Sequence, residues 1–334
     1  MPTPSRTRRP AHRTPLALLV ALLALVLGAC STGGGEAADD GGTVVKVGTL
    51  RGQPHFYAPY LYERFAEEAG AEDVTFEAVA LETAPALNDA LLSGSIDFAV
   101  GSITATIAGA AGGRDIKVVA AAADGGSGIV GGEGMSSVED LVGAKVGYLE
   151  SSSQYVAFQL VLEEAGVDVD DLDLVSLTAP EFFNAFQTGQ IDAFAAPEIG
   201  VSLALANGGT SIADPYSTEI GRLNIALLST GEQIEEDPEL VQQVVDTHAA
   251  ATTFMSENQD DWLPDMVEEY GGDEEVFSTA LENFWLRSDL SPTYEEQIGN
   301  LAAQMARLGM IPEAPEVGDV VDTSFASRDE PSDS

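Results

Sequence analysis

The sequence predicts an α/β protein of two similar lobes, each a mostly parallel sheet flanked by helices, because three short signatures occur twice in the same order. Lys46-Val47-Gly48-Thr49-Leu50 recurs as Lys145-Val146-Gly147-Tyr148-Leu149, an offset of 99 residues. Glu67-Glu68-Ala69-Gly70 recurs as Glu163-Glu164-Ala165-Gly166 at an offset of 96. Ser93-Gly94-Ser95-Ile96-Asp97 recurs as Thr188-Gly189-Gln190-Ile191-Asp192 at an offset of 95. One match would mean little, but three in register imply two lobes on one plan. Each unit reads as strand, helix, strand, helix, strand, and such alternation implies parallel pairing with helices on both faces.

In the second unit, 144–149 reads as a strand and 154–165 as a helix, with Gly166 suited to the left-handed position that ends one. A strand over 172–177, a helix over 180–188 closed by Gly189, and a strand over 191–196 complete it. Between the units, 116–123 reads as a buried strand running into Asp124-Gly125-Gly126-Ser127-Gly128, a stretch suited to a crossover. The chain returns through 223–228, after Asp214-Pro215-Tyr216. Helices follow. Asp237 is an N-cap with Pro238 at the first helical position, and Leu240, Val241, Val244, Val245 and His248 share one face. Ser291-Pro292 opens another helix, with Ile298, Leu301, Met305 and Leu308 inward and Gly309 at its end. Lobe 1 is therefore expected to be discontinuous, 43–126 with 218–326, and to carry a helical C-terminal segment. Lobe 2 is expected over 127–217, and 327–334 as a disordered tail.

The chain has 334 residues, 45% of them apolar, which is enough for a packed core. Lys and Arg number 14 against 55 Asp and Glu, a formal charge of −41. That balance excludes nucleic acid as a partner, since phosphate binding needs clustered basic charge. The acidity fits either a saline exterior or a solvated surface with no specific role. A single cysteine excludes an intramolecular disulfide framework and a cysteine-rich zinc site, and three scattered histidines argue against a histidine metal cluster. No metal or cofactor is expected.

At the N-terminus, Arg6, Arg8, Arg9 and Arg13 precede an apolar run from Leu16 to Gly28. The run is too short for a bilayer span of ~20 residues and fits a signal peptide. It ends in Leu27-Gly28-Ala29-Cys30, which resembles the bacterial lipobox, where the cysteine is lipidated and becomes the first mature residue. On this reading 1–29 is the signal peptide, Cys30 the lipid attachment site and 30–42 a flexible tether. Removing 1–29 takes away four arginines and no acid, leaving −45. The folded body then sits on the extracytoplasmic face of the cell membrane, held by its lipid alone.

Further motifs span the chain: Leu92-Ser93-Gly94-Ser95-Ile96-Asp97-Phe98-Ala99, Asp115-Ile116-Lys117-Val118-Val119-Ala120 and 136–147, a run from Ser136 to Gly147. Ser151-Ser152-Ser153, Thr188-Gly189-Gln190-Ile191-Asp192-Ala193 and Asp237-Pro238-Glu239-Leu240-Val241 follow in order. Together they resemble the substrate-binding lipoproteins of ABC importers, in the nitrate/sulfonate/taurine (SsuA-like) group of type II periplasmic-binding proteins. The resemblance implies the two-lobed type II periplasmic-binding-protein fold. It also implies a monomeric, non-enzymatic receptor that captures a small polar solute between its lobes by hinge closure and delivers it to a permease and its ATPase. The chain departs from that group in one place. Where the group often carries Trp-Asp/Glu-Pro-Tyr, this chain has Pro197-Glu198-Ile199-Gly200, which lacks the aromatic wall and keeps the carboxylate.

Ligands of open α/β sheets bind outside the carboxyl ends of the strands, which makes the turns there the candidates. Arg51 follows the first strand and is either a bidentate clamp for a carboxylate or sulfonate or a surface arginine beside one of many acids. Gln53 stands next to it as a donor or acceptor, while Phe56 and Tyr57 fit either core or a ligand wall. Ser102 and Thr104 hold the corresponding place after the third strand. Ser151, Ser152 and Ser153 open the helix of the second unit; one serves as an N-cap, and the helix start with its extra hydroxyls suits an anion. Glu198 either accepts from an ammonium or ring N–H or is one acid among many. Asp97 and Asp192 belong to strand starts, so they form no glycosidase pair with it. His55, in a turn, is expected to be solvated, and His248 to lie in or near the core. The solute stays open among an alkanesulfonate, taurine, nitrate, a pyrimidine or another small nitrogenous compound. Two other classes fit the scaffold: an enzyme of the thiamine-pyrimidine or menaquinone-precursor type, and a ligand-sensing partner of a signalling receptor.

The lipobox yields a first prediction. Cys30→Ser should release the protein to the medium or stall its processing, as read by fractionation, because the stable anchor is the acyl chains alone. A normally cleaved variant that stays with the membranes would show that the anchor lies elsewhere.

Overall fold

The structure is a computed structural model and describes residues 42–330. The expected signal peptide, Cys30 and the expected tether up to residue 41 lie outside the described residues, as do 331–334. The strands are β1 (Thr43–Leu50), β2 (Val74–Leu81), β3 (Phe98–Ser102), β4 (Ile116–Gly125), β5 (Ser127–Gly131), β6 (Lys145–Tyr148), β7 (Asp173–Ser176), β8 (Ala193–Pro197), β9 (Thr210–Ala213), β10 (Ile225–Thr230) and β11 (Phe284–Leu286). Around them run α1 (Tyr62–Phe65), α2 (Ala84–Leu92), α3 (Ile103–Ala111), α4 (Ser153–Ala165), α5 (Phe182–Gln187) and α6 (Gly200–Ala206). The remaining helices are α7 (Gly231–Glu236), α8 (Pro238–Glu257), α9 (Gln259–Tyr270), α10 (Glu274–Leu281), α11 (Pro292–Arg307) and α12 (Val317–Val320).

The repeated signatures touch one another, and in the same way twice. In the first unit the Lys46 N–H donates to the Asp97 carboxylate at 2.7 Å and the Asp97 N–H returns to the Lys46 carbonyl at 2.8 Å. In the second, Lys145 N–H reaches the Asp192 carboxylate at 2.9 Å and Asp192 N–H returns to Lys145 at 2.8 Å. Two residues on from each lysine, a glycine admits the isoleucine of the partner motif. A Cβ on Gly48 would stand 2.3 Å from Ile96 Cδ1, and one on Gly147 would stand 2.8 Å from Ile191 Cδ1. The clasp seats β1 beside β3 and β6 beside β8, both parallel, and β2 and β7 join as parallel outer neighbours.

The sheets are nevertheless mixed. Their orders are β11-β4-β10-β3-β1-β2 and β7-β6-β8-β5-β9, and β10, β11, β5 and β9 all pair antiparallel. The expectation of mostly parallel sheets holds for the repeated units and fails for the crossovers. The chain passes from β4 directly into β5 through Gly126, at φ +68°, with no helix to reverse it, so β5 enters the second sheet antiparallel to β8. Gly126 tolerates no side chain, since a Cβ there would lie 2.1 Å from the Phe284 ring.

Most helix ends follow the expected chemistry. Asp237 accepts from Leu240 N–H at 3.0 Å, Ser291 from Tyr294 N–H at 3.3 Å, and Gly166 is left-handed at φ 70°. The first helix of the first unit is interrupted: Pro54 and Pro59 break the segment into two 3-10 turns, Pro54–Phe56 and Ala58–Leu61, before α1. The tail is also shorter than expected. Ser327 accepts from Leu290 N–H at 2.8 Å, Arg328 pairs with Glu295, and Glu330 accepts from Thr293 N–H at 3.1 Å, so 327–330 are tied to the start of α11. Just upstream, Val321 bridges Val118 in parallel, and Lys117 Nζ donates to the Gly318 and Asp319 carbonyls at 2.9 Å, which covers the free edge of β4.

Apolar clusters fill both faces of each sheet. Val156, Ala157 and Leu160 of α4 lie in the same cluster as Leu301 and Met305 of α11, so this helix of the second unit packs on the first. His248 is fully buried, as expected. Its Nε2 lies 2.8 Å from the Ala121 carbonyl, which can only accept, so Nε2 carries the hydrogen and Nδ1 accepts from the Tyr62 hydroxyl at 2.7 Å. His55 corrects the expectation of a solvated turn residue: it is buried, stacked on Phe284 with ring centroids 4.2 Å apart.

Burial lowers His55 to about 3 and His248 to about 4, the latter against a raising bond to Ala121. An unfolded histidine takes its proton near pH ~6.5. As the pH falls below that value the unfolded chain therefore binds more protons, and stability is lost. Asp124 works in the opposite sense, because burial outweighs Arg287 and raises it to about 6, so the folded form gains on acidification through that range. Glu198, which burial also raises, works with Asp124; the two histidines outweigh both carboxylates, and unfolding free energy should be lower at pH ~5 than at pH ~7 by on the order of 1 kcal/mol. Urea titrations at the two pH values check this, and His248→Gln should shrink the difference.

Candidate functional site

Strand register gathers the carboxyl ends of the parallel strands of both sheets around one crossover. Ser102, at the end of β3, pairs with Ile225, which pairs in turn with Ala123 of β4. Gly125, at the end of β4, pairs with Phe284 of β11, while Ser127 opens β5 opposite Pro197 at the end of β8. The Glu198 N–H donates to the Gly126 carbonyl at 2.9 Å. The Ser102 turn of the first sheet and the Glu198 turn of the second thus face the crossover at Gly125–Ser127.

On the first-sheet side, Arg51 is exposed directly after β1 and makes no ion pair among the described residues. Gln53 is half-buried before the Pro54–Phe56 turn, and its side chain makes no capping bond. Phe56 and Tyr57 resolve as core. The Ser102 and Thr104 hydroxyls lie 2.8 Å apart; Ser102 stands at the N-cap position of α3 without a side-chain cap bond, and Thr104 is buried.

On the second-sheet side the three serines do three different things. Ser151 is exposed and left-handed at φ 60°, making the turn. Ser152 caps α4, accepting from Tyr155 N–H at 3.1 Å and donating to the Leu149 carbonyl at 2.7 Å. Ser153 is buried in the first turn and lines a small crevice with Ser127, Tyr216 and Arg222. The Arg222 guanidinium lies 3.9 Å from the centroid of the Trp285 ring.

Glu198 is committed to the protein. Its carboxylate accepts from Asn283 Nδ2 and from Ser202 N–H, each at 3.0 Å, and it is 3% exposed. Burial raises its pKa, while the Asn283 and Ser202 bonds pull it down. It forms part of the wall of an open cavity of about 550 Å³ beside α6, β9 and α10, which Asp214 and Glu282 also line. The linings of this cavity and of the crevice include none of Arg51, Gln53, Ser102, Thr104, Ser151 and Ser152.

Two residues that sequence reasoning passed over hold the crossover together. Tyr216 and Asn283 contact Ser127 from opposite sheets. Tyr216 stood in a visible Asp-Pro-Tyr turn, whereas Asn283 follows a helix end with no motif around it.

A family model described as NMT1/THI5 like matches residues 73–262. A binding protein of Brucella abortus is 28% identical over 131 residues, 38% of this chain, and the match spans 40% of that relative's length. A Bacillus subtilis protein named as aliphatic sulfonates-binding is 23% identical over 273 residues, covering 79% of this chain and 81% of the relative. Among solved structures, the periplasmic aliphatic sulphonate binding protein SsuA from Escherichia coli superposes with a TM-score of 0.74 at 19% identity, over 86% of this chain and 94% of that one. The two mixed sheets with their flanking helices are the periplasmic-binding-protein fold of that structure. With more than half of its length inside the matched region, the chain belongs to the NMT1/THI5 like family.

Proposed function

We propose that this protein is the extracytoplasmic solute-binding component of an ABC importer, anchored through Cys30, and that it takes a small sulfonate such as taurine or an alkanesulfonate. The observation that carries the reading is the convergence of both sheets' carboxyl ends on one crossover. A solute bridging such ends stabilises the closed arrangement, and a solute touching both states equally would shift nothing. The names of the relatives supply the sulfonate; Arg51, Ser102 and the α4 start supply donors for it. Glu198, held by Asn283 and Ser202, serves the joint in this arrangement and not the solute, which favours a simple anionic head over a recognised ammonium. A receptor also fits better than an enzyme, since His55 and His248 are buried and neutral and thus unsuited to general acid–base work. Permease and ATPase are the implied partners.

A thermal-shift screen over taurine, ethanesulfonate, nitrate and a pyrimidine tests this, because a binder of the native state raises the melting temperature by mass action. A sulfonate should give the largest shift. Calorimetry with that compound should then show Arg51→Ala weakening binding at least ~10-fold, the cost of a charge-assisted contact. Undiminished affinity in Arg51→Ala would move the site away from the β1 turn.

A further inference from the structure

We propose that Asn283 is a positioning residue, a latch that fixes the angle between the two sheets and thereby sets how strongly the site between them holds its solute. The inference rests on the solute-binding reading for its consequence, and on hydrogen-bond geometry for its substance. Asn283 immediately precedes β11 of the first sheet; Glu198 immediately follows β8 of the second. Asn283 Nδ2 donates to Glu198 Oε1 and to the Ser127 carbonyl, both at 3.0 Å. Its Oδ1 accepts from the Tyr216 hydroxyl at 2.8 Å, and that hydroxyl accepts from Ser127 N–H at 2.8 Å. The Asn283 carbonyl also accepts from Gly126 N–H at 2.7 Å.

Each hydrogen is used once. The Tyr216 hydroxyl has a single proton, and the shorter contact gives it to Asn283, leaving the Ser127 carbonyl to the carboxamide. Both carboxylate oxygens of Glu198 accept, one from each sheet's side of the joint, which favours the anion in this arrangement. Both chain crossings meet here, because Ser127 belongs to the outgoing strand and Tyr216 to the returning segment. A rotation of one sheet against the other about an axis that does not pass through this pair separates Asn283 from Glu198. A charge-assisted bond of this kind shifts such an equilibrium about 10-fold or more. Apparent solute affinity scales with the competent fraction.

Amide hydrogen exchange without any solute tests the latch independently of what the protein binds. In the full chain, Asn283→Ala and Tyr216→Phe should each speed exchange at the Glu198 and Ser202 amides about 10-fold, while Val146 and Gly147 within β6 stay as protected as before. Asn283→Asp should open the joint further by setting two carboxylates together, and adding Glu198→Gln should restore protection. Unchanged exchange at Glu198 and Ser202 in both single variants would overturn the proposal, as would equal acceleration in β6, the mark of general destabilisation. A solute screen that fails leaves these outcomes intact, and a latch that fails leaves the solute screen unaffected.

Discussion

A carboxylate gripping the backbone of a neighbouring strand is the constraint on which the architecture depends. Asp97 and Asp192 each accept the N–H of the lysine in the opening strand of their unit and return their own N–H to its carbonyl. A slip of one residue would place the carboxylate against the wrong peptide group and turn the apolar side chains to the opposite face. It would also drive an isoleucine into backbone where no glycine yields. With β1–β3 and β6–β8 fixed, the carboxyl ends of both pairs can only emerge on the side where the chain crosses.

That geometry explains what the sequence disclosed. The clasp is made of short, contiguous segments, so it appears as a repeated spelling, and caps such as Asp237 and Ser291 are equally local. The strand polarity of the crossovers was hidden because a β5 strand reads the same in either direction. Pro54 and Pro59 were visible, but the repeat itself implied a helix at this place and carried no sign of where it would be broken. His55 looked solvated because its partner ring, Phe284, lies 229 positions away in the chain. Asn283 was invisible for the same reason: its three side-chain partners come from three distant segments.

The joint is bracketed by charge on the first-sheet side. Arg287 pairs with Asp124 at 2.7 Å and with Asp289, and the Asp124 side chain is 4% exposed. Asp289 and Asp124 strengthen the guanidinium's hold on its proton against the cost of burial. Removing one partner of such a buried group leaves a charge without compensation, which typically costs ~3–5 kcal/mol. The end of β4 is therefore held firmly up to Asp124, where the outgoing chain turns through Gly125 and Gly126.

The strap that covers β4 has a consequence for how the molecule is made. The second sheet draws only on 127–213, whereas the first waits for β10, β11 and finally Val321. A chain lengthening from its N-terminus therefore completes its middle before its first sheet, since β3 waits for β10, and β4 waits for β10, β11 and Val321. Truncated chains that stop short of the strap would carry one mature half and one raw edge, and an unpaired strand edge is what invites aggregation.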